Sequence, residues 1–79
     1  MTIKEKIYEI VARKLKTEAS LIPEDANLKK ELGADSIDTV EIVFEIEEEY
    51  KIAVPDELAE TINTINDAVS VVEELVENN

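Results

Sequence analysis

The chain has no cysteine, no histidine and no tryptophan, one glycine (Gly33) and two prolines (Pro23 and Pro55). Without cysteine there is no disulfide and no thiol chemistry, and without histidine as well no zinc site is expected. A serine such as Ser36 then has no imidazole to act as its base, which excludes a serine-hydrolase triad. Carboxylates are abundant but fall on helix surfaces, so a glycosidase-type acid/base pair is not expected. Neither a phosphate-binding glycine loop nor a calcium-loop spacing occurs, so no metal site is assigned. No apolar run reaches the eighteen or so residues that a membrane span needs, so no insertion into a membrane is expected. The opening Met1-Thr2-Ile3-Lys4-Glu5 runs straight into an amphipathic pattern rather than a leader, which points to the cytoplasm, the expected setting, or to an already processed chain. Basic residues are also scarce. Eight against twenty acids leave a formal charge of −12, which argues against nucleic acid and anionic lipid and for basic protein partners.

What is present is aliphatic. Ten isoleucines, eight valines and six leucines supply a small core, enough to fold despite the charge. Seventy-nine residues make one domain, 1–79, expected to be monomeric. A chain this short buries only about 60% of its unfolded surface, so its stability should be modest.

Ile3, Ile7, Ile10, Val11 and Leu15 form a single stripe at helical period, predicting a helix from Ile3 to about Lys16. Thr2 and Glu5 make a capping box at its start, and Lys14 and Lys16 suit its negative end. Residues 17–35 show no period. Pro23, Asp25, Asn27 and Gly33 punctuate them, and Leu21, Ile22, Leu28 and Leu32 are the apolar anchors. So long a loop is expected to carry function or short helical turns, one starting at Asn27 with Glu31 and ending at Gly33.

A second helix is predicted from Ser36 to about Lys51, capped by Asp35 with Asp38 in its first turn. Thr39, Ile42, Val43, Ile46 and Tyr50 share one face, while Ile37, Val40 and Phe44 fall roughly opposite. Asp38, Glu41, Glu45 and Glu48 lie beside that second stripe, with Glu47 close to it. Two apolar faces on one helix of a small domain have two readings: scattered surface hydrophobes or loop cover, or a partner-docking patch rimmed with acids.

Ile52-Ala53-Val54-Pro55 reads as extended, and Asp56 is expected to cap a short turn over Glu57–Glu60 that presents Leu58, Ala59 and Ile62. A last helix starts at Thr64, with Asp67 completing a capping box, and carries Ile65, Ala68, Val69, Val72, Leu75 and Val76 on one stripe. Asn78–Asn79 is expected to fray. The sum is an all-α four-helix bundle, three longer helices and one short, with a long loop between the first two.

Leu32-Gly33-Ala34-Asp35-Ser36-Ile37-Asp38-Thr39-Val40-Glu41 resembles the attachment signature of bacterial-type acyl carrier proteins. The likeness continues through Glu47-Glu48-Glu49-Tyr50, Val54-Pro55-Asp56 and Ile62-Asn63-Thr64-Ile65, and so covers nearly the whole chain. The resemblance implies a non-catalytic carrier whose Ser36 is esterified with 4′-phosphopantetheine from coenzyme A by a holo-acyl-carrier synthase. It further implies acyl chains held as thioesters on that arm during fatty acid synthesis. Carried over by position, Asp35, Asp38, Glu41, Glu47 and Glu48 are the acids that meet basic patches on partner enzymes, and Ile37, Val40 and Phe44 the apolar part of the docking helix. Ile37, Phe44 and Glu45 depart from the usual leucine, methionine and small residue and are expected to alter partner preference. A specialised carrier of a polyketide or other acyl pathway is the alternative, with an acidic interaction module that carries nothing a remote third. Branched side chains between the second and last helices give Ile46, Ile62 and Val69 as candidates for an acyl-chain pocket, with ordinary core packing the competing reading.

Overall fold

Four helices and one 3₁₀ turn make up the computed structural model, which describes residues 1–77; the expected fraying of Asn78–Asn79 lies outside the described residues. Helix α1 (Ile3–Leu15) begins with the expected box: Glu5 N–H donates to Thr2 Oγ1 at 3.1 Å and Thr2 N–H to Glu5 Oε1 at 2.9 Å. Its stripe turns inward through Ile7, Ile10 and Val11, and Ala12 joins it. Lys16 ends the helix in a left-handed conformation, φ 57°, its N–H donating to the carbonyls of Ala12 and Arg13.

The loop is pinned at several points. A 3₁₀ turn, Ala19–Leu21, follows α1 and leads to the buried Ile22. The turn expected at Asn27 forms: Asn27 Oδ1 accepts from the N–H groups of Lys29 and Lys30, and Glu31 Oε2 accepts from Asn27 N–H at 2.7 Å. It closes at Gly33, φ +76°, the region where a side chain costs most. Leu28 N–H donates to the Asn63 carbonyl at 2.8 Å and Asn66 N–H to that of Glu24 at 3.1 Å, tying the loop to the start of the last helix. Ile22, Ala26, Leu28 and Ala34 are buried. Leu21 is not the anchor expected of it. Its place in the 3₁₀ turn points it away from the core and leaves it 65% exposed.

Helix α2 (Ser36–Tyr50) buries Ile42 and Ile46 and half-buries Thr39, Val43 and Tyr50, the expected inner face. Helix α3 (Asp56–Ala59) is a single turn; it starts one residue earlier than expected, because Pro55 takes the cap position and its fixed φ of −58° leads straight into Asp56. Helix α4 (Ile65–Glu77) is capped by the Thr64–Asp67 box, with Asp67 N–H to Thr64 Oγ1 at 3.0 Å and Thr64 N–H to Asp67 Oδ2 at 3.1 Å. It buries Ile65, Ala68, Val71 and Val72. Val71 joins the buried face, although the expected stripe omitted it, and Val76, expected on that stripe, is 41% exposed near the end of the helix. Helix α1 packs against both α2 and α4, and among the described residues the elements are all helical. Among the described residues the buried set contains no polar or charged side chain and no aromatic ring.

Candidate functional site

Ser36 is the first residue of α2, and the local sequence explains why its hydroxyl points outward. Asp35 holds the cap position: its Oδ1 accepts from Asp38 N–H at 2.8 Å, and Asp38 Oδ2 accepts from Asp35 N–H at 3.2 Å. The helix start is thereby satisfied without the serine. Ser36 is exposed, and among the described residues its hydroxyl takes part in no hydrogen bond; only its carbonyl is used, by Thr39 Oγ1 at 2.9 Å. Upstream, buried Ala34 and left-handed Gly33 bring the loop to α2 without a bulky side chain near that hydroxyl.

Beside Ser36 lies a cleft of about 520 Å³. Val40, Val43 and Phe44 of α2 form one wall and Val54, Ala59 and Ile62 the other, with Lys29, Ser36, Asp56, Glu60 and Asn63 among the polar groups of its lining. The volume falls within the range of small-molecule sites, and the mixture of apolar walls and a few polar groups is typical of them. Of the three pocket candidates, Ile62 lines this cleft. Ile46 and Val69 do not: Ile46 is sealed in the core, and Val69 is half-buried against that core. The period of α2 distinguishes its inner face but gives no sign that the extended segment at Val54 and the α3 turn at Ala59 close over Val43. The signal that could have found them is Pro55, which holds Val54 extended just before α3 begins.

The docking candidates divide by what holds them. Ile37, Val40 and Phe44 form an exposed apolar ridge on α2, each more than 60% accessible. Asp35 and Asp38 are engaged in the cap. Glu47 turns the other way, its Oε2 accepting from the N–H of buried Val54 at 2.7 Å, so that it braces the far wall of the cleft. Glu41 lies 3.9 Å from Lys14 of α1. Glu48 is exposed, and its carboxylate has neither hydrogen bond nor ion pair among the described residues. Glu45 is held hardest: Arg13 Nη2 donates to its Oε2 at 2.7 Å, and Lys14 Nζ lies 3.5 Å from its Oε1. Partial burial pushes the Glu45 carboxyl up, but the hydrogen bond and charge of Arg13, with Lys14 adding to them, outweigh it and hold the group below the ordinary carboxylate range.

Among the described residues no group of three or more His, Cys, Asp or Glu side chains is placed to hold a metal ion, and no helix is long and apolar enough to cross a membrane. What the arrangement offers is an accessible, unengaged hydroxyl at a helix N-terminus next to a cleft. Such a hydroxyl fits covalent attachment of a prosthetic group.

Residues 5–72 match the family model described as "Phosphopantetheine attachment site". Among solved structures, the chain is similar to the acyl carrier protein of Enterococcus faecalis, at 33% identity over 99% of this chain and 100% of that one, with a TM-score of 0.71. It is similar also to the acyl carrier protein of Thermotoga maritima, at 30% identity over 94% of this chain and 86% of that one, TM-score 0.79. A third likeness is to the apo doublet acyl carrier protein of prodigiosin biosynthesis, at 26% identity and TM-score 0.79, where 91% of this chain spans 35% of the longer one. Proteins of this kind are non-catalytic carriers, and their cofactor is 4′-phosphopantetheine. With the attachment-site model covering most of the sequence and the fold shared nearly end to end, the chain belongs to the phosphopantetheine-attachment family of acyl carrier proteins.

Proposed function

We propose that this chain carries growing acyl groups in fatty acid synthesis, in the cytoplasm, on a 4′-phosphopantetheine arm attached to Ser36, as a single domain over residues 1–79. The observation that carries the reading is the free, exposed Ser36 hydroxyl at the mouth of the cleft. When bound, the arm supplies a thiol that forms thioesters with acyl groups.

The chain's own residues account for loading. As the Ser36 oxygen bonds to phosphorus, the pyrophosphate linkage of coenzyme A breaks and the nucleotide portion leaves with the electron pair. The hydroxyl proton needs an acceptor. Without histidine, and with Asp35 and Asp38 committed to the cap, the chain offers no good base, so the synthase supplies it. The N-terminus of α2 favours the new phosphodiester by about 0.3–1 kcal/mol, and the neighbouring Asp35 and Asp38 charges oppose it. Ile37, Val40 and Phe44 with Glu48, Glu41 and the cap carboxylates present an apolar ridge with an acidic rim to basic patches on the synthase and other partner enzymes. Complementary charge speeds encounter more than it tightens binding, which suits a shuttle that must leave each partner. The cleft beside Ser36, with Ile62 in its wall, suits the sheltering of an acyl chain.

The test is intact mass after incubation with a bacterial holo-acyl-carrier synthase and coenzyme A. The wild-type chain gains one phosphopantetheine group and Ser36→Ala gains none; an unmodified wild type, or a modified Ser36→Ala, refutes the assignment. The likeness to the prodigiosin carrier favours a second reading, a carrier for a specialised pathway. Identifying the acyl groups on the chain isolated from its own cells separates the two: straight saturated chains of graded length support fatty acid synthesis, and a single unusual acyl group supports the specialised pathway.

A further inference from the structure

The acids beside the ridge of α2 are not equally open to a partner. Glu41 and Glu45 lie one turn apart on the flank that faces α1, where Arg13 and Lys14 meet them. Both oxygens of Glu45 are engaged, by Arg13 at 2.7 Å and by Lys14 at 3.5 Å, and Lys14 also reaches Glu41. Lower on the same seam Lys6 lies 3.6 Å from Glu49. Arg13 is itself 60% exposed, so it presents positive charge on the side from which a partner would approach the ridge. Glu48, with no such counter-charge, lies between the ridge and this flank.

Resting on the carrier reading above, we propose that Arg13 and Lys14 are specificity-determining residues of docking: they occupy Glu45 and Glu41 from within the chain and so weaken its hold on partners that present clustered lysines and arginines. A partner cation that seeks Glu45 must displace Arg13, which repels it. The acids such a partner meets without a competing base are Glu48 and the cap carboxylates near Ser36, with Glu41 shared with Lys14, which shifts the docked partner toward the attachment site and away from α1. The apolar ridge is unaffected by the substitution of either base. Removing the two bases therefore strengthens docking, the reverse of what loss of a structural ion pair alone would do.

The experiment is phosphopantetheine transfer to the apo chain by a bacterial holo-acyl-carrier synthase at saturating coenzyme A, with KM for the chain and kcat read separately. Arg13→Gln/Lys14→Gln lowers KM roughly two- to fivefold, the scale of an exposed pair, with kcat unchanged. Because that variant also gains net negative charge, Lys16→Gln/Lys51→Gln is the control: it changes net charge equally at lysines that take part in no ion pair among the described residues, and its KM falls less. Glu45→Gln closes the cycle. It changes KM by less than twofold in the wild type and by more in the Arg13→Gln/Lys14→Gln background, where it removes the part of the gain that the freed Glu45 supplies. Equal KM changes in the variant and its charge-matched control, or an effect of Glu45→Gln that is the same in both backgrounds, overturns the inference while leaving the carrier reading intact. A wild type that gains no mass at Ser36 removes the carrier reading and this inference with it.

Discussion

Glu47 and Glu48 are neighbours in sequence and alike in charge, yet they do different work because their carboxylates end in different places. Glu47 accepts a hydrogen bond from Val54, a buried N–H with no other acceptor in the extended segment. Truncation to alanine leaves that group unsatisfied, which costs about 1–3 kcal/mol. Glu47→Ala therefore lowers the melting temperature by several degrees, on the scale of roughly 4–8 °C per kcal/mol for a domain of this size. It also loosens the wall of the cleft, seen as faster amide exchange at Val54. Glu48→Lys has the opposite profile: thermal unfolding and helix content stay within error of wild type, while kcat/KM with a basic partner enzyme falls. A Glu48→Lys chain turned over at the wild-type rate would remove Glu48 from the docking face. The difference was not legible in the sequence, where 100° per residue sets both acids near the ridge and says nothing about a backbone donor seven residues away. Ser36 was legible, since a glycine turn followed by an aspartate cap leaves the next hydroxyl unengaged.

At the level of helices, the seam between α1 and α2 is electrostatic on its outer edge and aliphatic within. The Glu45 carboxyl is held below its ordinary value in the folded chain, despite partial burial, by Arg13 and Lys14. Its contribution to stability is full above the unfolded value, about 4.3, and is lost as pH falls through the lower folded value. The melting temperature of wild type consequently exceeds that of Glu45→Gln at pH 7, and the gap narrows as pH falls below about 4.3 and closes once the folded-state carboxyl is protonated as well. A gap that persists there would show that the pair acts through packing rather than charge. The helix ends carry a second test. Lys51 closes α2 at φ 55°, a conformation that costs a side-chain-bearing residue about 1–2 kcal/mol, against about 0.5–1 kcal/mol for the greater freedom of glycine when unfolded. Lys51→Gly raises the melting temperature by a few degrees, and a drop would mean that the lysine charge at the helix terminus outweighs backbone strain. The helices themselves were readable because apolar period agrees with capping boxes at α1 and α4 and with the Asp35 cap at α2. Val76 was misplaced because period alone does not say where a helix stops being covered, and Leu21 because apolar character in a segment without period does not say which way a 3₁₀ turn points its last residue.

For the molecule as a whole, self-repulsion is the governing electrostatic term. Among the described residues five of the twenty acids, Glu9, Glu24, Glu41, Glu45 and Glu49, meet a base, and the net charge of the chain is −12. Added salt weakens both the attractions and the repulsions, but the unbalanced acids outnumber the pairs, so screening favours the folded chain. The melting temperature climbs with sodium chloride from a few millimolar to about 0.5 M, where the screening length shrinks to a few ångströms. Melting that is flat or falls with salt would show that the ion pairs of the α1–α2 seam dominate instead.

The aliphatic interior has one more consequence. Phenylalanine occurs once, at Phe44, and that ring stands 62% exposed on the ridge beside Ser36 rather than in the core, while both tyrosines are only half-buried on α1 and α2. Selective deuteration or fluorination of phenylalanine would place a spectroscopic reporter at one known position, with no second signal to assign and no buried ring to disturb.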